Sequence, residues 1–462
     1  MSLLVRTGDA FRGLLPGPIS ALLEHIERSQ VGRRLTRGAF WSLVGLVTLR
    51  GLNMASMVFV ARILGKIEFG EVGVIQSTMG MVQAFAGFGL GFAATKYVAE
   101  FRGSNPTKAG RIISFCNLSA AITGGLMALG FFLSAPWLAK HALAAPHLTG
   151  PLRVSSLLLF MATLTGTQYG ILAGLEAFKS LARIGFLSGS ASVPLIVGGA
   201  WLFGVDGAVW GMILATCVNW AMNHHSLKAE AVQRGVKISW DNCWQERAVL
   251  WDFGLPAILG GTMYSVAAWA ASVMLVNRPG GYGEMGYYNA ANQWFSALLF
   301  LPGVLGQAAV PVLSEQIGKK QLGRTRKILL YSVKLNIAFM APMVLIGCLL
   351  SPWFMKFYGN DFEVAWGTLA VTLFTAGIVA IQAPPAQIVT ASGRMWAGTI
   401  TSLSYSIAFV AASAAFVNWG SLGIAVARGI AYCLYAFCSF KLAFFIIRTL
   451  ENQAQEVNQP SV

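Results

Sequence analysis

Three cations stand inside long apolar runs: Arg50, Lys334 and Arg428. None of the 18 Asp and Glu residues does; all fall in loops, tails or at the ends of runs. A membrane site that exchanges cations needs a carboxylate to bind the cation and to titrate. This chain instead offers groups that would receive an anion. Arg50 lies about 11 residues into its run, ~16 Å at the helical rise, near the middle of a bilayer. A charge there costs about 2.5–3.5 kcal/mol on insertion scales, so it needs water, carbonyls or an anionic ligand. Asn53, three residues on, shares its face. Lys334 and Arg428 lie about five residues from a run end, ~8 Å; they are further candidates for the substrate cavity, but at that depth are expected to snorkel to the surface. Amides add a polar lining: Gln76 and Gln83 on one stripe, then Asn289, Asn292 and Gln293, then Gln382 and Gln387. Singly, such amides are commonly interhelical glue; their concentration in the first, second and eighth runs is what a cavity between two bundles would need. The six cysteines form no C-x-x-C pattern, and the adjacent His224 and His225 have no further ligands nearby in sequence. No metal or other cofactor is expected.

The elements that must hold these groups are membrane helices. Of 462 residues, 56% are hydrophobic and only 11% charged, and the apolar residues come in runs of the ~20 residues that cross a bilayer. The expected fold is an all-α polytopic membrane protein of about 12 helices, over 39–61, 73–95, 112–134, 152–175, 184–205, 207–223, 253–276, 288–312, 329–350, 365–391, 397–417 and 423–447. This divides the chain into a basic N-terminal segment (1–37), a six-helix bundle (38–223), a linker (224–252), a second six-helix bundle (253–447) and a tail (448–462). Lys and Arg crowd the termini, the central linker and alternate connections such as 319–327. The opposite connections hold only Arg62, Lys66, Lys140, Arg153, Arg278 and Lys356. The positive-inside rule then places both termini and the linker in the cytoplasm, and topology accounts for most of the net +15 without a nucleic-acid partner.

The two bundles are related in sequence. At an offset of 216, "RILGKIEFG" (62–70) falls on "RPGGYGEMG" (278–286), and "LFGVDGAVWGMILATC" (202–217) falls on "NWGSLGIAVARGIAYC" (418–433). One offset at two distant places signals internal duplication. Because each half has an even number of helices, the halves must be parallel repeats about an axis along the membrane normal. In each first hairpin, Gly65 and Gly70, or Gly281 and Gly286, should supply a tight turn. Arg62 with Glu68, and Arg278 with Glu284, are expected to pair across it. "GFGLG" (87–91) and "GAVWG" (207–211) read as close helix packing.

"ARILGKIEFGEVGVIQS" followed by "GFGLGFAATKYVAEFRG", then "LPGVLGQAAVPVLSEQ" (301–316) and "FYGNDFEVAWGTLAV" (357–371), resembles the polysaccharide transporters of the O-antigen flippase type. These belong to the multidrug/oligosaccharidyl-lipid/polysaccharide (MOP) exporter superfamily. The resemblance covers nearly the whole chain after residue 37. It implies a flippase for a polyprenyl-pyrophosphate-linked oligosaccharide, an O-antigen or exopolysaccharide repeat unit, in a bacterial inner membrane. It also implies a cavity built from the first two helices of each half, with basic groups such as Arg50 facing the pyrophosphate. Its partners would be the lipid-linked oligosaccharide, membrane lipids, and a polysaccharide polymerase with its chain-length machinery.

Rival readings are a lipid II flippase, which usually carries about two more helices, and a drug antiporter, which lacks support without an intramembrane carboxylate. A membrane glycan polymerase or ligase would need a sizeable exterior loop with convergent catalytic groups. The longest such connection, 135–151, carries His141 and His147 but no acidic partner for them, and reads as a plain loop.

Overall fold

A computed structural model describes residues 30–87, 89–240, 243–247, 255–300, 302–303, 313, 317 and 322–458. Most of the segment 1–37, the far end of the eighth span, most of the 301–316 motif and residues 459–462 lie outside the described residues. The described chain is helical, as backbone groups in lipid require, because only a helix satisfies them within one segment.

In the first half, α1 (Gln30–Ala86) is two membrane passes in one helical run, bent at Gly65, whose φ of 72° only glycine adopts freely. The expected loop 62–70 is therefore a single-residue kink with helix on both sides. A break at Gly89 starts α2 (Leu90–Ser104), so the second span is two helices in series. There follow α3 (Pro106–Trp137), α4 (Thr149–Gly174) and α5 (Phe178–Gln233), the last again two passes, bent at Phe203 and Gly204. The expected packing glycines do bring backbones together: a Cβ on Gly170 would stand 2.1 Å from the Gly91 carbonyl oxygen, and one on Gly207 1.9 Å from that of Gly199.

The second half contains α6 (Leu255–Val276), α7 (Gly281–Leu298), α8 (Leu322–Leu349), the short α9 (Ser351–Lys356), α10 (Trp366–Ala391), α11 (Met395–Phe416) and α12 (Gly420–Asn458). The left-handed residue of its first hairpin is Gly280 (φ 72°), not the expected Gly281. Gly281 instead lies where a Cβ would be 2.1 Å from the Leu275 carbonyl oxygen.

Buried apolar side chains decide the overall arrangement. Near the two glycine turns one core runs through both halves, with Phe69, Leu143 and Leu148 packed among Leu275, Tyr287, Tyr358 and Phe362. Toward the linker end, two further clusters of described residues stay within single halves. One surrounds Ile112, Leu172, Leu181 and Leu227; the other surrounds Leu329, Ile388 and Ile446.

Candidate functional site

The seam between the halves is tightest at the turns. A Cβ on Gly70 would lie 1.8 Å from the carbonyl oxygen of Tyr282, and one on Gly286 would lie 2.1 Å from that of Lys66. Residues 66 and 282, and 70 and 286, are pairs at the offset of 216, so the two segments meet by reciprocal contact. Side chains reinforce it. Arg62 Nε donates to the Phe357 carbonyl (2.6 Å), Asn277 to that of Ala142 (2.7 Å), and the Tyr282 hydroxyl to that of Leu143 (2.7 Å). Lys66 Nζ donates to the Tyr287 hydroxyl (3.3 Å), and that hydrogen bond holds the ammonium above its ordinary range.

Two expectations about these turns are corrected. Among the described residues, neither Arg62–Glu68 nor Arg278–Glu284 forms an ion pair; Arg62 and Arg278 are exposed. The glutamates instead face the start of the last pass in their own half. Glu284 Oε2 accepts the Ser421 backbone N–H (2.7 Å) at the N-terminus of α12, where a helix dipole favours negative charge. Gly420 makes room, since a Cβ there would be 2.4 Å from the same oxygen. Glu68 stands in the matching place beside Gly204, 3.6 Å from its would-be Cβ. The connection 135–151 is no plain loop either. It carries the Ala142 and Leu143 carbonyls of the seam, and its His147 meets Glu71 (2.8 Å), an acidic partner from α1.

Below the turns the halves remain bonded through Ser77–Ser272 (3.1 Å) and Trp269–Thr78 (3.2 Å). The bond farthest along the seam, among the described residues, is from Arg50 Nη1 to the Ser296 carbonyl (3.4 Å). Arg50 is exposed, with Cζ 5.1 Å from the centre of the Phe300 ring. It lies 15 residues from Gly65, ~22 Å along the helix. The cation thus stands at the linker-ward edge of the shared core, level with Leu298 and Leu299, which pack against it.

The other expected lining residues distribute differently. Asn53 is exposed, and its Oδ1 accepts from Ser192 Oγ (3.0 Å) within the first half. A hydroxyl–amide chain continues nearby through Ser188, Asn219 and Asn223. Beside it lies a cavity of about 30 Å³ lined by Asn219, Asn223 and Tyr169. Among the described residues, Gln76 reaches only the sulfurs of Met57 and Met212. Gln83 and Gln293 are half-buried, with no side-chain bond among the described residues. Asn289 is buried against Gly73, its Nδ2 unpartnered. Gln382 donates to Ser439 inside the second half. Lys334 is exposed, as snorkelling requires. Arg428 overturns that expectation. It is 2% exposed and donates from Nη1 to Asn292 Oδ1 (2.9 Å). The aromatic setting that receives it, with Tyr288 and Phe295 beside it, was not anticipated from the sequence; aromatics at helical spacing in α7 (Tyr288, Phe295), α11 (Tyr405, Phe409) and α12 (Tyr432, Tyr435) were the available signal.

The two helical halves, joined at one end, have the fold of a MOP-type transporter. Solved structures share it. A multidrug resistance MATE family transporter of the MOP superfamily, inward-facing, superposes with a TM-score of 0.72 at 16% identity, covering 89% of this chain and 99% of its own. A MOP superfamily transporter from Pyrococcus furiosus, described with a binding pocket of reverse polarity, gives 0.69 at 16%, covering 90% and 96%. The family model "Polysaccharide biosynthesis protein" matches residues 35–316, and the MatE model matches 256–412. The chain belongs to the polysaccharide biosynthesis protein family and is a multi-pass membrane protein with the fold of MOP-superfamily transporters. Among curated relatives, the EPS I polysaccharide export inner membrane protein EpsE of Ralstonia solanacearum is 23% identical over 90% of this chain and 93% of its own. The succinoglycan biosynthesis transport protein ExoT of Rhizobium meliloti is 24% identical over 75% and 67%.

Proposed function

We propose that the protein flips a polyprenyl-pyrophosphate-linked oligosaccharide across the bacterial inner membrane, for export as exopolysaccharide or O-antigen. The observation that carries this reading is the split of the core: one body at the turn end, two toward the linker end, with Arg50 at the linker-ward edge of the shared body. The charge distribution supports a cytoplasmic linker end, both termini included, so the gap faces the side on which the lipid-linked unit is made. Arg50 then receives the pyrophosphate with its planar donor fork, the glycan lies in the gap, and the polyprenyl chain stays in lipid. Export follows when the seam at Gly70 and Gly286 parts and the linker ends close. The polymerase and chain-length machinery would take the unit on the far side. The names of the Ralstonia and Rhizobium relatives support a polysaccharide cargo.

The test compares membranes carrying the native protein with membranes carrying Arg50→Ala. Loss of one charged hydrogen bond predicts a ~10-fold or greater fall in flux, with lipid-linked oligosaccharide retained on the cytoplasmic face and protein level unchanged. Full flux from well-folded Arg50→Ala would remove Arg50 from the site. Units that reached the outer face and stayed unpolymerised would instead point to a polymerase.

A further inference from the structure

Arg428 is a buried cation with only one of its three nitrogens hydrogen-bonded. Nη1 is held by Asn292, but Nε and Nη2 have no partner. These two nitrogens form one edge of the guanidinium fork, the edge that grips a carboxylate in bidentate pairs. The Phe295 ring lies 4.1 Å from Cζ and the Tyr288 ring 5.3 Å, so aromatic faces flank the ion. No described carboxylate pairs with it. Tyr405, buried close by, has a hydroxyl that is also unpartnered. Its ring stacks on Tyr264 at 5.5 Å and lies 4.6 Å from that of Tyr432. Tyr264 is 36% exposed, so the cluster reaches the protein surface there.

The first half shows that the fold does not require this charge. The residues 216 positions before Asn292 and Arg428 are Gln76 and Met212, and they too are in contact, Gln76 Nε2 lying 3.6 Å from Met212 Sδ. The same helix pair therefore packs around a neutral thioether in one half and a guanidinium in the other. An arginine that the architecture does without, and that keeps a bidentate edge free, has a ligand to meet.

We propose that Arg428, with Asn292 and the Tyr405 hydroxyl, forms a binding site for one monovalent anion of carboxylate size. The anion is either a free small ion or a carboxylate carried by an acidic sugar of the cargo; the free Nε–Nη2 edge suits a carboxylate from either source. The site is separate from Arg50, and its failure leaves the pyrophosphate reading standing.

The test is thermal unfolding of the purified full chain in detergent at fixed ionic strength, titrated with sodium formate, sodium glucuronate and, as neutral control, glucose. The native protein should show a saturable rise in Tm with an anion and none with glucose. Half-saturation at lower glucuronate than formate assigns the site to the cargo; the reverse assigns it to a free ion. Arg428→Met, which copies the first half, should abolish the rise, whereas Arg50→Ala should keep it. Should Arg428→Met not fold, Arg428→Lys and Tyr405→Phe decide. Loss of the bidentate edge or of the hydroxyl should raise the half-saturating concentration about tenfold and severalfold, respectively. No saturable rise in the native protein, or an unchanged rise in the variants that fold, overturns the proposal.

Discussion

Gln76–Met212 and Asn292–Arg428 occupy matching places in the two halves, yet one is a weak amide–thioether contact and the other binds a buried cation. At the turns the halves behave alike, each glycine against the other half's carbonyl. Duplication has been kept where the halves must meet and abandoned where each faces its own interior. The first half is polar through neutral groups, the Asn53–Ser192 and Ser188–Asn219–Asn223 bonds. The second concentrates one charge among tyrosines. Symmetry thus marks the joint between the halves, and asymmetry marks their interiors.

The comparison breaks most visibly at the seam. Gly70→Leu and Gly286→Leu should each cost ~3 kcal/mol or more, the upper range for overpacking, because the atoms met are backbone and cannot swing aside. Chemical unfolding should show similar losses for the two, and transport should fail in both. A large loss from one with tolerance of the other would contradict a reciprocal seam. Exchanging the interior pair sharpens the contrast. Met212→Arg plants a charge where Gln76 is its nearest polar partner and should destabilise by ~3 kcal/mol, whereas Arg428→Met should stay within ~1 kcal/mol of native because a well-packed apolar residue commonly replaces a buried ion without loss. Equal destabilisation by both would show that the halves tolerate charge alike.

A smaller effect separates the two glutamates. Glu284→Gln should cost ~1 kcal/mol through the lost charge at the Ser421 N–H and the helix terminus, and Glu68→Gln less, since only Glu284 makes that bond. Identical Tm values for the two variants would deny the difference. The smallest lies at the linker end. Although burial pushes the Glu230 carboxyl upward, the Ser180 and Arg234 hydrogen bonds outweigh it, and the group sits below the usual carboxylate range. A depressed acid stabilises above its unfolded pKa and loses that contribution as pH falls through the folded value, so native protein should lose stability below about pH 4.5. The Glu230→Gln variant should lose less in that window, by under ~1 kcal/mol for so accessible a pair. Parallel curves would exclude it.

The helical class and the offset of 216 could be read from the sequence because both rest on local or periodic signals: apolar runs, glycines and repeated spacing. The pairings could not. Arg62 finds a carbonyl from residue 357, and His147 finds Glu71, partners that only the packed bundle brings together. Arg428 was misjudged because distance from a helix end measures depth but not direction. Its side chain turns into the bundle, where Asn292 and Phe295 receive it, rather than along the helix to water. Arg50 was legible as a cation of the first helix, and its place at the end of the seam needed the second half to be seen.

The reciprocal contact of Lys66 and Gly70 with Tyr282 and Gly286 has the form of an isologous interface, in which one patch is its own complement. A six-helix chain bearing that hairpin would already possess the surface needed to associate with a second copy of itself in the same orientation. Fusion of two such chains adds covalent linkage but no new joint. Thereafter each copy is free to diverge everywhere except along the strip that still has to recognise its twin.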